Sequence, residues 1–158
     1  MSRAGMRAAE DHGRALPRYG RQEEAERALF AQRDVFLDRL RAVAPSSASF
    51  RFDLTSESLK SLERWYFELH ELPAFDKIGL NRETFERCIA MYFGEVIVKN
   101  HAEFKWAVRE FAFEPGTYEI GVVRGTVAVM LTRFSDVHAR PNNKKRESIW
   151  REYRRWVS

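Results

Sequence analysis

A single cysteine, Cys88, is the chain's whole supply of thiols, so no disulfide can form within it, and a reducing compartment fits that usage. Long apolar runs are missing as well. The best, VAVML, ends at Thr132 and falls far short of the roughly 18 to 20 residues that a membrane span needs. The opening stretch MSRAGMRAAEDHGRALPRYG carries arginines but no apolar h-region, which argues against a secretory signal and makes a cytoplasmic location the expectation. There is no GxGxxG, no GxSxG elbow, no internal repeat and no low-complexity tract, which removes the sequence grounds for a dinucleotide fold, a serine-hydrolase elbow or a repeat array.

What is present is globular in composition. Of 158 residues, 44% are hydrophobic, 13% aromatic and 32% charged, enough for one domain that buries roughly two thirds of its unfolded surface. Lys and Arg outnumber Asp and Glu by 27 to 23, a net charge of +4 that permits an anionic partner without requiring one.

Residues 1 to 20 show no sustained period and read as a mobile tail. In residues 22 to 44, Ala25, Leu29, Phe36, Leu40 and Val43 recur at helical spacing, with acidic residues crowding the first turn and Pro45 as the stop. PSSAS is a linker. Phe50, Phe52 and Leu54 then alternate with Arg51 and Asp53 as a short strand does. Thr55 or Ser56 caps a helix whose stripe is Leu59, Leu62, Tyr66 and Leu69, and a loop through Gly79 leads to the N-cap Asn81. From there Phe85, Ile89, Tyr92, Phe93 and Val96 form one helical face, with Glu95 on its flank, Gly94 on its back, and Asn100 suited to a left-handed C-terminal cap.

GTYEIGVVRGTVAVML carries the strongest pairing signal. A two-residue turn at Arg124 and Gly125 sets Val122 opposite Val127, Ile120 opposite Val129 and Tyr118 opposite Leu131, all on one face. Folding back at EPGT sets Phe113 against Tyr118 and Phe111 against Ile120. Trp106 and Val108 then require a bulge near Glu110 to point the same way. The last segment offers a cap at Asn142 or Asn143 and a helix with the stripe Ile149, Trp150, Tyr153, Trp156 and Val157. The predicted architecture is α+β: helices flanking a small antiparallel β-meander, with a tail over 1 to 20 and one domain over 21 to 158.

Chemistry-bearing constellations are sparse. His12, His70, His101 and His138 are scattered; His70 with Glu71 and His101 with Glu103 miss the i, i+4 spacing that places two ligands on one helix face, so neither a metal nor any other cofactor is expected. GVVRGT lacks the lysine and the helix of a phosphate loop, and a hairpin explains its glycines. Cys88 at the edge of an apolar stripe reads as a packed thiol. Glu95, Glu110, Glu114, Glu119 and Asp136 include no pair whose spacing makes them converge, and Glu95 reads as a flank carboxylate pairing with Lys99.

The candidate binding surface is the last helix with its approach: Lys144, Lys145, Arg146, Arg151, Arg154 and Arg155 stand against only Glu147 and Glu152, with Trp156 among them. Such a helix can track phosphates, or it can pack its aromatic stripe while the charges stay solvated.

The run YFGEVIVKNHAEFKW, followed by a short meander and a closing helix, resembles a pattern in small uncharacterised bacterial proteins. In these a helix ending in a Tyr-to-Glu segment of this kind precedes a strand carrying Trp. Tyr92, Gly94, Glu95 and Trp106 carry the likeness, over residues 81 to 134. Some of those families are similar to immunity proteins of interbacterial toxin systems. The resemblance implies a compact intracellular binding module without a cofactor. The basic surface departs from it, since many immunity proteins are acidic. The sequence reading is therefore a non-enzymatic protein that binds another macromolecule: a protein first, through the N-terminal helix or an exposed part of the terminal aromatic stripe, and nucleic acid as the alternative through the basic last helix.

Overall fold

The computed structural model describes residues 2–132 and 147–158. Its elements are α1 (Arg3–Ala15), α2 (Gln22–Val43), a short 3-10 turn (Ala44–Ser46), α3 (Ser58–Glu71), α4 (Phe75–Ile78), α5 (Arg82–Asn100), β1 (Lys105–Glu110), β2 (Tyr118–Arg124), β3 (Val127–Met130) and α6 (Ser148–Val157). The strands form one antiparallel sheet in the order β1-β2-β3, so the fold is α+β as expected. No helix among the described residues is long and apolar enough to cross a membrane.

α5 is the hub. Asn81 caps it by accepting the Thr84 amide at 2.7 Å. Beyond its first turn it is buried almost all round, which is the pattern of a helix surrounded by other elements. Gly94, expected on the outer side, faces the sheet instead. A Cβ there would stand 2.5 Å from the Trp106 ring and 2.6 Å from Leu131, so glycine is what lets helix and sheet approach. Asn100 does not adopt a left-handed conformation. It is the last helical residue, and its side-chain amide donates to Val96 O at 2.7 Å within the helix and to Leu54 O at 2.8 Å on the segment before α3, tying the helix end to that segment.

The hairpin faces are as predicted but the register is not. Val122 pairs with Val129 and Arg124 with Val127, which leaves Gly125 and Thr126 as the turn. Gly125 takes φ +57, the left-handed backbone that such a turn demands, and this moves the turn one residue along. Register slides by two residues, so every side chain keeps its face. β1 departs further. Trp106 pairs with Val122, Val108 with Ile120 and Glu110 with Tyr118, without a bulge, and Phe111 and Phe113 fall in the connecting loop, Phe113 standing 54% exposed.

Residues 50 to 54 make no strand. The alternation is real, with Phe50 buried and Arg51 and Asp53 exposed, but no neighbouring strand completes a ladder. Leu54 sits instead at φ +60, its amide donating to Tyr92 Oη at 3.0 Å. The predicted tail contains α1, capped by Ser2 Oγ on the Gly5 amide at 3.0 Å. Its inner side is made of small residues rather than a large apolar stripe. His12 Nε2 meets Glu119 Oε1 at 2.5 Å, and a Cβ on Gly13 would strike Glu114, so α1 lies against β2 and the loop before it. The caps expected at Asn142 or Asn143 lie outside the described residues.

Candidate binding surface on the last helix

α6 is fixed from behind. Ile149 is fully buried and Tyr153 nearly so, while Trp150, Trp156 and Val157 pack half-buried against the core. At its N-terminus the missing intrahelical acceptors are replaced from another helix. Glu63 of α3, 2% exposed, accepts Ser148 Oγ–H at 2.6 Å, the Ser148 amide at 3.1 Å and the Ile149 amide at 3.4 Å, all on one oxygen. A carboxylate at that end also complements the helix dipole, as Arg154 and Arg155 do in the last turn. His101, just past α5, meets Tyr153 Oη at 2.8 Å; burial raises the pKa of that phenol, opposed by the Arg154 charge.

Sequence reasoning missed Glu63, although it stands at i+4 from Leu59 and i−3 from Tyr66. It is thus a carboxylate inside an apolar helical stripe, and that position was the available signal.

With the inner face committed, the outward face is cationic. Arg151, Arg154 and Arg155 are all exposed. The Lys60 ammonium of α3 lies 4.1 Å from the centre of the Trp150 ring, and the Arg154 guanidinium lies 5.3 Å from that same ring. Arg155 stands 5.4 Å from the Trp156 ring and 3.6 Å from Glu152, which also accepts Trp156 Nε1–H at 3.0 Å. Of the sequence-predicted surface the structure thus brings together Arg151, Arg154, Arg155 and Trp156 on α6, and adds Lys60. Lys144, Lys145 and Arg146 lie outside the described residues.

The other candidates are absorbed by packing. Glu95, expected beside Lys99, accepts Trp106 Nε1–H at 2.9 Å and borders a shallow groove with Arg33, whose guanidinium stacks 5.2 Å from the same indole. A larger cleft of about 510 Å³ runs between α2, α5 and the sheet, past Leu29, Phe36, Met91 and Leu131. On its wall, Glu86 accepts Tyr66 Oη–H at 2.7 Å and pairs with Arg82 at 3.1 Å; burial first and then this carboxylate push the Tyr66 pKa well above the phenol range. Cys88 is fully buried, and burial pushes its thiol up to about 12. Among the described residues no group of three His, Cys, Asp or Glu side chains is placed to hold a metal ion.

Comparison with known proteins places the chain. It is 27% identical over 114 residues, 72% of this chain and 71% of the relative, to a Bacillus subtilis (strain 168) protein described as Uncharacterized protein YwmA. No solved structure matches it. The model of the family described as Uncharacterised protein YwmA matches residues 18–157, a span that leaves out α1 and takes in both α3 and α6, and the chain belongs to that family.

Proposed function

We propose that the protein acts by binding another macromolecule at the outward face of α6 and carries out no reaction of its own. The observation that carries this reading is the division of labour on α6. Glu63, His101 and the buried Ile149 and Tyr153 hold the helix down, while Arg151, Arg154 and Arg155 all remain exposed. A face built this way presents charge rather than apolar anchors, so its contacts are electrostatic and sensitive to salt.

Support for a non-catalytic role comes from the groups that chemistry would use. Glu95 and Glu86 are engaged in structural hydrogen bonds, and Cys88 is buried as a protonated thiol. Support for a protein partner of the immunity type rests on the resemblance through Tyr92, Gly94, Glu95 and Trp106. Those four make internal contacts: Gly94 seats the Trp106 ring, Trp106 holds Glu95, and Tyr92 holds Leu54 and Ser58. They speak for a shared packing solution and leave the partner to be read from the surface. Among the described residues the large exposed apolar side chains, Met6, Val35, Leu72 and Phe113, stand on four different segments.

The test is capture from the cell extract of the source bacterium by the full chain and by a variant carrying Arg151→Glu, Arg154→Glu and Arg155→Glu, with and without nuclease. A partner held by the parent chain, released by salt and absent from the variant is the expected result. Equal retention by the variant overturns the placement on α6.

A further inference from the structure

We propose that the partner of α6 is single-stranded nucleic acid, gripped where Lys60 and Arg154 converge on Trp150. The inference rests on the binding role above and names its chemistry. Two cations from separate helices stand within 5.3 Å of one ring centre, so the fold rather than a run of basic sequence brings them together. Glu57 balances Lys60 at 3.2 Å. Arg154 has no carboxylate within ion-pair distance among the described residues, and it is exposed.

Two cations beside one indole make a local positive site that an anion neutralises. A phosphodiester suits that place, because its charge persists at every working pH and its oxygens accept from ammonium and guanidinium alike.

The rings select among polyanions. Trp150 and Trp156 are both half-buried, each with cations beside it, so aromatic surface and positive charge alternate along little more than two turns of α6. A single strand offers both complements: phosphates that draw the cations off the rings, and unstacked bases that take their place against the indoles. A duplex keeps its bases stacked inside, and an acidic protein segment answers the charges without the rings. Carboxylates at Glu57 and Glu152, and those of Glu68, Glu71 and Glu147 along the groove that Lys60 borders, temper the patch, which keeps the interaction weak and salt-dependent.

The experiment is fluorescence anisotropy of a short labelled oligothymidylate with the full chain at low and moderate salt. Parallel titrations use a duplex of equal length and polyglutamate. The expected result is binding to the single strand that weakens with salt and falls by about tenfold or more in Lys60→Glu with Arg154→Glu, but not in the exposed control Lys77→Glu, with far-UV circular dichroism showing all variants folded. Lys60→Arg with Arg154→Lys retains most of the affinity. Absence of binding at low salt, equal weakening by the control, or equal affinity for the duplex overturns the proposal. Should polyglutamate bind better, or should extract capture through α6 persist while the oligonucleotide fails, the binding role stands and this assignment falls.

Discussion

Glu63 and Ser148, 85 residues apart in sequence, share two hydrogen bonds that decide where the last helix lies: Ser148 donates to Glu63 Oε1 from Oγ–H at 2.6 Å and from its amide at 3.1 Å, and the amide of Ile149 turns toward the same oxygen. A helix whose first amides find their acceptor on another helix is docked in direction as well as in position. The outward aim of Arg151, Arg154 and Arg155 follows from it.

Replacing that carboxylate exposes its worth. Glu63→Ala leaves three donors without their acceptor at a partly buried helix end, and the expected loss is about 1 to 2 kcal/mol of unfolding free energy by urea denaturation. Glu63→Gln keeps an acceptor and forfeits the charge on the helix dipole, so it loses less, about 1 kcal/mol. An alanine variant as stable as the parent contradicts this account of α6 docking.

Two buried glycines separate side-chain crowding from backbone crowding. Ala at position 94 meets the Trp106 ring and Leu131, side chains that shift at a cost, and Gly94→Ala is expected to destabilise by about 1 to 3 kcal/mol despite alanine's better helix propensity. At position 121 the added Cβ stands 2.3 Å from the Val129 carbonyl oxygen, which the β2–β3 ladder holds in place. Gly121→Ala is therefore expected to be the more damaging of the two, with thermal unfolding midpoints giving the order.

Cys88 sets an alkaline dependence. Burial raises its thiol from 9.0 to about 12, with the Arg39 charge opposing. Below pH 9 the proton is bound in both folded and unfolded chains and the group leaves stability flat. Above it the unfolded chain releases the proton while the folded chain holds it, so stability falls as pH rises through that window. Tyr92, raised by burial, adds in the same direction. Urea unfolding on either side of pH 9 is expected to show the decline, and Cys88→Ala to reduce it, leaving the tyrosine contribution at higher pH. Thiol reagents are expected to label the chain in urea and not when folded; labelling of the native protein overturns the assignment.

Periodicity exposed most of the elements. α2, α3, α5 and α6 follow stripes readable at 3.6-residue spacing, and the hairpin faces follow alternation of two. The errors share a cause. Phe111 and Phe113 alternate as strand residues do, yet Val108 and Glu110 hold those places in the sheet, paired with Ile120 and Tyr118 on the ladder. Phe50, Phe52 and Leu54 alternate with no neighbour to pair with. α1 escaped notice because its inner side carries the small Gly5, Ala9 and Gly13 and the polar His12, none of which leaves an apolar signal.

By itself the chain determined the main apolar stripes of α2, α3, α5, α6 and the hairpin, since burial of apolar surface is written into spacing. The α+β class follows from that. Only the tertiary structure decided the hairpin register, because a slip of two residues keeps every face and the positive φ at Gly125 breaks the tie. It also decided that Glu63 meets Ser148 and that Lys60 meets Trp150 and Arg154, since contacts between residues so far apart depend on how helices pack, and no local pattern records that.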